Sequence, residues 1–353
     1  MTRSLVAFFL SGISLSNHPM AQPPQPPKPA GRPTFVATRS EVIVAVTVTD
    51  DKGHIISDLK RSDFKLLDEG RVQKISSFAR DTETSRQPTV IGFLVDTGAA
   101  NRTHWDKFKE ATKELIWRLL PNDPNYTGYL ISYADHERLE TDTTSDPDKL
   151  TDQVDRLQPA GGAALYNAIR MACADRRLAP GEPYRTRRVL IVIGDGHDSA
   201  SQYSLDQVAE LAQRDQITVY GMSTLAFGAS SDSSKDLERL AKATGGHVEY
   251  PLSNPYSNVP GYLSQPSDQG NYALSVGSGG YSAAIATAVN NSVESLYHEI
   301  TGQYILRYTP EIDRATAYKE IRKIEVRISG LPKSRLVNVR ARESYYPNPV
   351  KQH

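Results

Sequence analysis

The chain has 353 residues, a formal net charge of zero and 39% hydrophobic residues. A chain of this length can bury one large or two medium hydrophobic cores. The balanced charge excludes the strong overall field that draws a protein to nucleic acid, so no nucleic-acid partner is expected. Cys173 is the single cysteine, which excludes an intramolecular disulfide. Its apolar helical surroundings predict a small buried side chain rather than a nucleophile.

The N-terminus has the pattern of an export signal. A basic residue near the start is followed by an apolar run over residues 5–15 and by the small residue Ala21 at a cleavage position. The run is too short to cross a bilayer. We therefore predict a signal peptide over residues 1–21, a secreted, periplasmic or cell-envelope protein, and no membrane span after cleavage. Pro19 is unusual at such a site, and an uncleaved signal anchor is the alternative. Residues 22–35 are proline-rich and predict an extended tether.

Period-two alternation of apolar residues predicts β-strands at both ends of the chain. Near the N-terminus the strands are expected over residues 42–49, 64–67 and 72–78, with a hairpin turn at Glu69 and Gly70. Near the C-terminus three alternating stretches follow residue 303. Each set is too small to form an independent sandwich. We predict that segments 36–82 and 303–347 together form one accessory β-sandwich-like domain.

Strands and helices alternate from residue 86 to residue 302, which predicts an α/β domain with a doubly wound, mostly parallel sheet. The unbroken apolar run 90–95 is typical of a strand buried on both faces, and it leads into Asp96. A second run, 189–193, leads to Asp195. Because open α/β sheets hold their ligand crevice at the carboxyl ends of the strands, both aspartates are expected there, beside the Gly161-Gly162 loop.

Two helices of this region have a capping-box pattern at their start. Thr103 and Asp106 predict the beginning of one helix, and Ser204 and Gln207 predict the beginning of another.

Residues 251–282 interrupt the α/β pattern and predict a long surface loop, after which a helix resumes at Ala283. The segment is rich in small polar residues and carries four tyrosines, which are Tyr256, Tyr262, Tyr272 and Tyr281. Tyrosines among small polar residues are typical of binding loops. We predict a contribution to binding, and a solvated loop without a ligand is the alternative.

Three central segments, LVDTGAA (94–100), PAGGAALYNAI (159–169) and LIVIGDGHDSAS (190–201), resemble the signature segments of von Willebrand factor type A domains. The flanking segments 47–78, 302–310 and 341–347 resemble the β ends of an exported, acidobacterial-type family that carries such a domain. The resemblance extends over residues 35–347. It implies the α/β fold described above and a protein-binding or adhesion function rather than an enzyme.

The resemblance also implies a metal-ion-dependent adhesion site, in which two aspartates and three hydroxyl side chains hold the metal. Asp96 and Asp195 match the aspartates, whereas Gly98, Ala100 and Ala163 stand at the hydroxyl positions. Mg²⁺ takes about six oxygen ligands, so two carboxylates alone predict a degenerate site. We expect metal-independent binding without a cofactor, and weak Mg²⁺- or Ca²⁺-dependent adhesion is the alternative.

Other side chains of the same loops are candidates for the binding surface, namely Thr97, Gly162, His197 and Asp198. His197 is expected to be a solvent-exposed turn residue, with a role as a metal ligand as the alternative. Displaced hydroxyl ligands are limited to Thr97, Thr103, Ser199 and Ser201, whose spacing differs from the family pattern.

The tripeptide Asp96-Thr97-Gly98 also matches the signature of aspartic proteases. Their chemistry requires two carboxylates that share a proton, and a second Asp-Thr-Gly is absent from the sequence. The alternation of strands and helices does not fit an all-β protease. We therefore predict a non-enzymatic module that binds a protein partner, with the protease as a distant alternative.

Overall fold

The structure, a computed structural model, describes residues 41–80, 88–175, 177–178, 186–225, 232–253, 279–310, 321–329 and 336–347. The predicted signal peptide and tether lie outside the described residues. The described residues belong to one compact unit, residues 39–353, so the boundaries between an α/β domain and a β domain stay a prediction. Among the described helices, none combines the length and hydropathy that a bilayer span requires.

Within the described part of the chain, the strands and helices follow one another in the order that the sequence predicts. The strands are β1 (Val42–Thr49), β2 (Phe64–Asp68), β3 (Arg71–Val72), β4 (Ser77–Arg80), β5 (Thr89–Asp96), β6 (Tyr126–Tyr133), β7 (Glu137–Thr144), β8 (Arg187–Ile193), β9 (Ile217–Met222), β10 (Val248–Glu249), β11 (Tyr304–Tyr308), β12 (Arg322–Ile328), β13 (Asn338–Ala341) and β14 (Ser344–Tyr345). The helices are α1 (Trp105–Leu119), α2 (Pro147–Arg156), α3 (Leu165–Ala174), α4 (Leu205–Arg214), α5 (Asp232–Thr244) and α6 (Gly279–Gly302).

A six-stranded sheet with the order β10-β9-β8-β5-β6-β7 forms the centre of the α/β region. Its strands pair in parallel except for β7, which runs antiparallel to β6 at one edge. All eight residues of β5 are buried, because one hydrophobic cluster covers each face of the sheet. The first cluster includes α1, α2 and α6, and the second includes α3, α4 and α5. Cys173 lies in the second cluster, as predicted.

The helix starts agree with the sequence at α4 and differ at α1. Ser204 and Gln207 form the expected capping box of α4. Before α1, the chain forms a 3-10 helix over Ala99–His104, and His104 is the N-terminal cap without a side-chain hydrogen bond. The prediction of a cap at Thr103 is wrong because Thr103 lies inside the 3-10 helix, and the cap of α1 is His104.

Two four-stranded antiparallel sheets, β13-β1-β11-β4 and β14-β12-β2-β3, form the β region. Each sheet pairs a strand from the N-terminal segment with a strand from the C-terminal segment, as β1 does with β11 and β2 does with β12. A shared hydrophobic cluster joins the two sheets. The predicted fold class, an α/β sheet with an accessory β-sandwich from both chain ends, is confirmed.

One residue of this sandwich connects four strands. Asp68, at the end of β2, is fully buried. Its carboxylate accepts hydrogen bonds from the hydroxyl groups of Tyr308 (3.1 Å) and Tyr345 (2.8 Å) and from Nε of Arg322 (2.9 Å). The charge is therefore fully compensated, as a buried carboxylate requires.

The predicted strand over residues 72–78 is wrong, because the chain changes sheets within it. Strand β3 ends at Val72 and pairs with β2, whereas β4 begins at Ser77 and pairs with β11 in the opposite sheet. The backbone N–H of Gln73 still bonds to Leu66, and that of Ser76 already bonds to Arg307. The predicted surface loop over residues 251–282 is too long, since α6 begins at Gly279; residues 254–278 lie outside the described residues.

Candidate functional site

The loops that follow β5 and β8 meet the loop between α2 and α3 above the carboxyl ends of the strands. We call the space between residues 96–100, 160–164 and 194–198 the crevice. Asp96 is the last residue of β5, and Asp195 follows β8 after one glycine. A Cβ atom at Gly194 would collide with the Cβ atom of Asp96 and with the hydroxyl group of Tyr133. Glycine therefore allows the ends of β5, β6 and β8 to approach one another here. Asp96, Asp195 and the Gly161-Gly162 loop lie close together, as the sequence leads us to expect.

Asp96 is a buried acid with only 3% of its surface exposed. Burial raises the pKa of its carboxyl group to about 7, the nearby charge of Asp195 acts in the same direction, and the hydrogen bond from Gly98 opposes both. That bond joins the Gly98 N–H to Oδ1 of Asp96 at 2.7 Å. Part of the Asp96 population is therefore protonated at neutral pH.

Asp195 repeats this local geometry in a partly exposed position. Its Oδ1 atom accepts the backbone N–H of His197 at 2.7 Å. In both loops an aspartate thus accepts the N–H two residues ahead, which is the hydrogen bond of an Asx turn. These two hydrogen bonds give each aspartate a structural role that does not require a bound ligand.

The first two loops of the crevice are closed on each other by backbone hydrogen bonds. The N–H of Ala99 bonds to the carbonyl oxygen of Gly161 at 3.0 Å, and the N–H of Ala160 bonds to that of Thr97 at 2.6 Å. A Cβ atom at Gly98 would lie 2.6 Å from the carbonyl oxygen of Gly162 and 2.9 Å from Oδ1 of Asp96. The closed loops therefore have no room for a side chain at residue 98.

Asp135 is a site residue that the sequence analysis missed. It follows β6 and accepts the N–H of Gly162 at 2.7 Å. This bond fixes the loop of residues 160–164 against the carboxyl end of β6. Gly161 has a φ of +80°, and a Cβ atom there would lie 2.6 Å from Oδ2 of Asp135. Its position at the carboxyl end of a buried strand, like that of Asp96, was the available signal.

The neighbouring hydroxyl groups are engaged within the protein. The Thr97 hydroxyl donates to the carbonyl oxygen of Tyr133 at 3.2 Å. Oγ of Ser199 accepts the N–H of Ala163 at 3.2 Å, and Oγ of Ser201 donates to Asp198 at 2.6 Å. Thr103 is exposed on the 3-10 helix after β5.

The donor set does not fit a metal-ion-dependent adhesion site. Gly98, Ala100 and Ala163 offer no side-chain oxygen, and one carboxylate oxygen of each aspartate already accepts a backbone N–H. Within the described ranges, no cluster of three His, Cys, Asp or Glu side chains is arranged to hold a metal ion. At the five signature positions a divalent cation would find side-chain oxygens only from the two aspartates, and water would have to supply most of its remaining ligands.

The remaining predicted surface residues differ in their surroundings. His197 is exposed, as predicted, and Gly162 is partly exposed. Thr97 is 7% exposed, so it offers little surface to a partner. Asp198 accepts the N–H of Tyr166 at 2.8 Å and so stabilises the first turn of α3. Of the four tyrosines, Tyr256, Tyr262 and Tyr272 lie outside the described residues; Tyr281 belongs to α6, and its side chain is not among those described.

Comparison with known proteins identifies the α/β region. The family model of the von Willebrand factor type A domain matches residues 91–258. No curated protein matches the chain.

Several solved structures are similar to the chain. An aerotolerance-related membrane protein from Bacteroides fragilis is 18% identical, with a TM-score of 0.37, and the match covers 45% of this chain and 90% of that one. The conserved hypothetical protein BatB from Bacteroides thetaiotaomicron is 19% identical, with a TM-score of 0.35 and coverage of 45% and 88%. A von Willebrand factor type A protein from Catenulispora acidiphila is 12% identical, with a TM-score of 0.44 and coverage of 87% and 72%.

Proposed function

We propose, from the premise that residues 91–258 belong to the von Willebrand factor type A family, that this chain is a non-enzymatic, adhesion-type module that binds a protein partner without a metal ion. Domains of this family generally serve in protein interaction and adhesion. The observation that carries the metal-independent part is the closed crevice, in which the backbone hydrogen bonds between the loops leave no room for a hydroxyl side chain at Gly98.

The charge of the loops supports a particular kind of partner. The described loops 97–104, 134–136, 157–164 and 194–204 carry more negative than positive charge. They contain three carboxylates, Asp135, Asp195 and Asp198, and one cation, Arg102. A metal ion at such a site attracts an acidic group of the partner, whereas an acidic surface without the ion attracts a basic one. We therefore infer a partner that presents lysine or arginine side chains to the loops, in contact with exposed residues such as His197.

Metal independence is tested by calorimetric titration of the purified chain with Mg²⁺, Mn²⁺ and Ca²⁺. We expect no saturable heat up to millimolar concentrations. Two carboxylates that face one crevice favour the alternative of weak Mg²⁺- or Ca²⁺-dependent adhesion. Millimolar or tighter binding that Asp195→Ala abolishes would establish this alternative and refute our proposal.

Partner binding is tested by affinity capture from the extracellular or periplasmic fraction of the source cells, in the presence of EDTA and of Mg²⁺. We expect the same partner to bind equally in both buffers and to bind less in high salt, because exposed charges are screened. His197→Glu should alter the capture, whereas Lys74→Glu, an exposed charge change in the β-sandwich, should not. Capture that requires Mg²⁺ would contradict metal independence.

A location outside the cytoplasm is supported by the signal-peptide pattern of residues 1–21. The N-terminal sequence of the mature protein tests it. We expect the exported protein to begin at Gln22, directly after Ala21. A mature protein that retains residues 1–21 and stays with the membrane would favour the signal anchor instead.

The absence of enzymatic activity is likewise part of the proposal. The Asp-Thr-Gly tripeptide of residues 96–98 motivates one assay, which is proteolysis of a denatured substrate at acidic pH. We expect no activity from the wild-type chain. Proteolysis that Asp96→Asn abolishes would establish the aspartic-protease alternative.

A further inference from the structure

A partly buried histidine lies where the edge of the central sheet meets α6 and the β-sandwich. His247 directly precedes β10, and 20% of its side chain is exposed. Its Nε2 atom is 2.8 Å from Oε1 of Glu249, and its Nδ1 atom is 2.8 Å from Oε2 of Glu299 in α6. The second contact lies outside hydrogen-bond geometry, so we treat it as an ion pair. Both ring nitrogens thus face carboxylates, as expected of an imidazolium ion rather than a neutral ring.

The two glutamates extend the cluster to the sandwich and along α6. Glu299, whose side chain is 5% exposed, accepts the hydroxyl of Thr47 in β1 at 3.1 Å and lies 3.2 Å from Nη2 of Arg340 in β13. Glu249 accepts the hydroxyl of Ser295 in α6 at 2.7 Å. One histidine therefore connects the sheet edge, α6 and two sandwich strands.

The local charges require the proton on His247. Glu249 and Glu299 contribute two negative charges, and Arg340 compensates one of them. The ring of Tyr220 in β9 packs edge-on at 5.8 Å and adds no charge. Burial alone would lower the pKa of His247, but its contacts with Glu249 and Glu299 outweigh burial and raise the pKa to about 9.

Other charged groups around the cluster are more distant or already paired. Lys242 of α5 lines the cleft behind His247 and lies 3.7 Å from Glu343. Arg118 of α1 and His298 of α6 line the cleft in front. Both lie near Glu294, Arg118 at 2.8 Å and His298 at 3.5 Å. These groups do not replace the proton of His247 between the two carboxylates.

We propose that His247 is a proton-dependent clamp that holds α6 and the β-sandwich against the edge of the central sheet, and that its deprotonation in alkaline solution releases this junction. With the proton present, the cluster carries two cations for two carboxylates. Without it, one buried carboxylate loses its counter-ion, and the separation of α6 from β10 lets water solvate that group.

The direction of the pH effect follows from the raised pKa. A histidine with a pKa near 6.5 in the open state and about 9 in the closed state stabilises the closed state fully below pH 6.5. This stabilisation decreases as the pH rises and is lost above pH 9. The opening constant of the junction should increase by up to tenfold per pH unit, or about 300-fold in total.

Hydrogen exchange of the full chain, monitored by mass spectrometry and corrected for the intrinsic pH dependence of exchange, tests the clamp. Between pH 6.5 and 9.5 the protection of residues 247–249 and 292–302 should fall by about 100-fold, while that of β5 changes little. His298 is an exposed histidine of α6, and His298→Gln should behave as the wild type. His247→Gln should show low and pH-independent protection.

The proton itself is observed by NMR titration of the His247 ring in the wild-type chain, which needs no variant to fold. We expect a midpoint near pH 9. A midpoint near 6.5, or protection of residues 292–302 that does not change with pH, would overturn the proposal. So would a His247→Gln variant with wild-type protection at pH 7.

Discussion

Replacing Gly98 with serine restores one hydroxyl of the family's metal site, and we expect it to destabilise the protein without creating that site. Gly98 has a φ of −61° and a ψ of 151°, a conformation open to every residue type, so the need for glycine is one of space alone. The new Cβ atom would approach a backbone oxygen to 2.6 Å, closer than such atoms pack. The two loops must therefore separate.

The cost follows from the contacts that hold these loops together. Separation lengthens the Ala99–Gly161 and Ala160–Thr97 hydrogen bonds, each worth about 0.5–1.5 kcal/mol. Overpacking of a well-packed interior costs about 1–3 kcal/mol by itself. We expect Gly98→Ser to lower the free energy of unfolding by about 2 kcal/mol, because the loops can relax part of the strain.

Urea denaturation followed by circular dichroism measures this change, with two matched variants. Gly98→Ala should cost as much as Gly98→Ser, since the Cβ atom causes the clash. Ala100→Ser adds a hydroxyl at an exposed residue and should change stability by less than about 0.5 kcal/mol. A Gly98→Ser variant as stable as the wild type would refute the steric argument. Millimolar Mg²⁺ binding by the Gly98→Ser, Ala100→Ser, Ala163→Thr triple variant would do the same.

Three further predictions concern aspartates with different surroundings. Asp195→Asn should keep the turn to His197, because an amide oxygen accepts the same N–H, whereas Asp195→Ala should lose about 1 kcal/mol in urea denaturation; equal losses would contradict the Asx-turn role. Burial raises the pKa of Asp96 from 3.8 to about 7, so its ionisation should lower the free energy of unfolding by up to about 4 kcal/mol between pH 4 and 7. Asp96→Asn should remove this pH dependence of stability. If the variant and the wild type lose stability in parallel over this pH range, Asp96 is not its source. Asp68→Ala should cost about 3–5 kcal/mol by leaving Arg322 and two tyrosine hydroxyls without their acceptor, and a loss below 1 kcal/mol would show that the sandwich does not depend on Asp68.

The α/β core could be predicted because its information is local. An apolar run such as 90–95 is typical of a strand covered on both faces, and the structure buries all of β5. The aspartate at its end follows from the same pattern. The position of Gly98 against Gly162 does not, because it depends on how two loops meet that are distant in sequence.

The junction between the sheet and the sandwich could not be predicted for the same reason. His247, Glu249 and Glu299 are unremarkable polar residues in the sequence, and only the docking of α6 and β13 brings them together with Arg340. Likewise, the residues between β3 and β4 read as one strand, since period-two alternation does not record which sheet a residue joins. Local patterns determine the elements, whereas burial of charge and changes of sheet are properties of their assembly.

The geometry of the two loop aspartates explains how this domain can keep its acids without metal ligation. In each loop the carboxylate accepts the N–H two residues ahead, at 2.7 Å in both cases. This bond holds the turn that carries the chain away from its strand, so the aspartates have a structural reason that does not depend on a metal ion. Glycine at residue 98 permits the backbone bonds that close the loops. The closed crevice is therefore stabilised by contacts within the protein and needs no ligand in it. For this reason we propose that the partner binds to the exposed loop residues around the crevice.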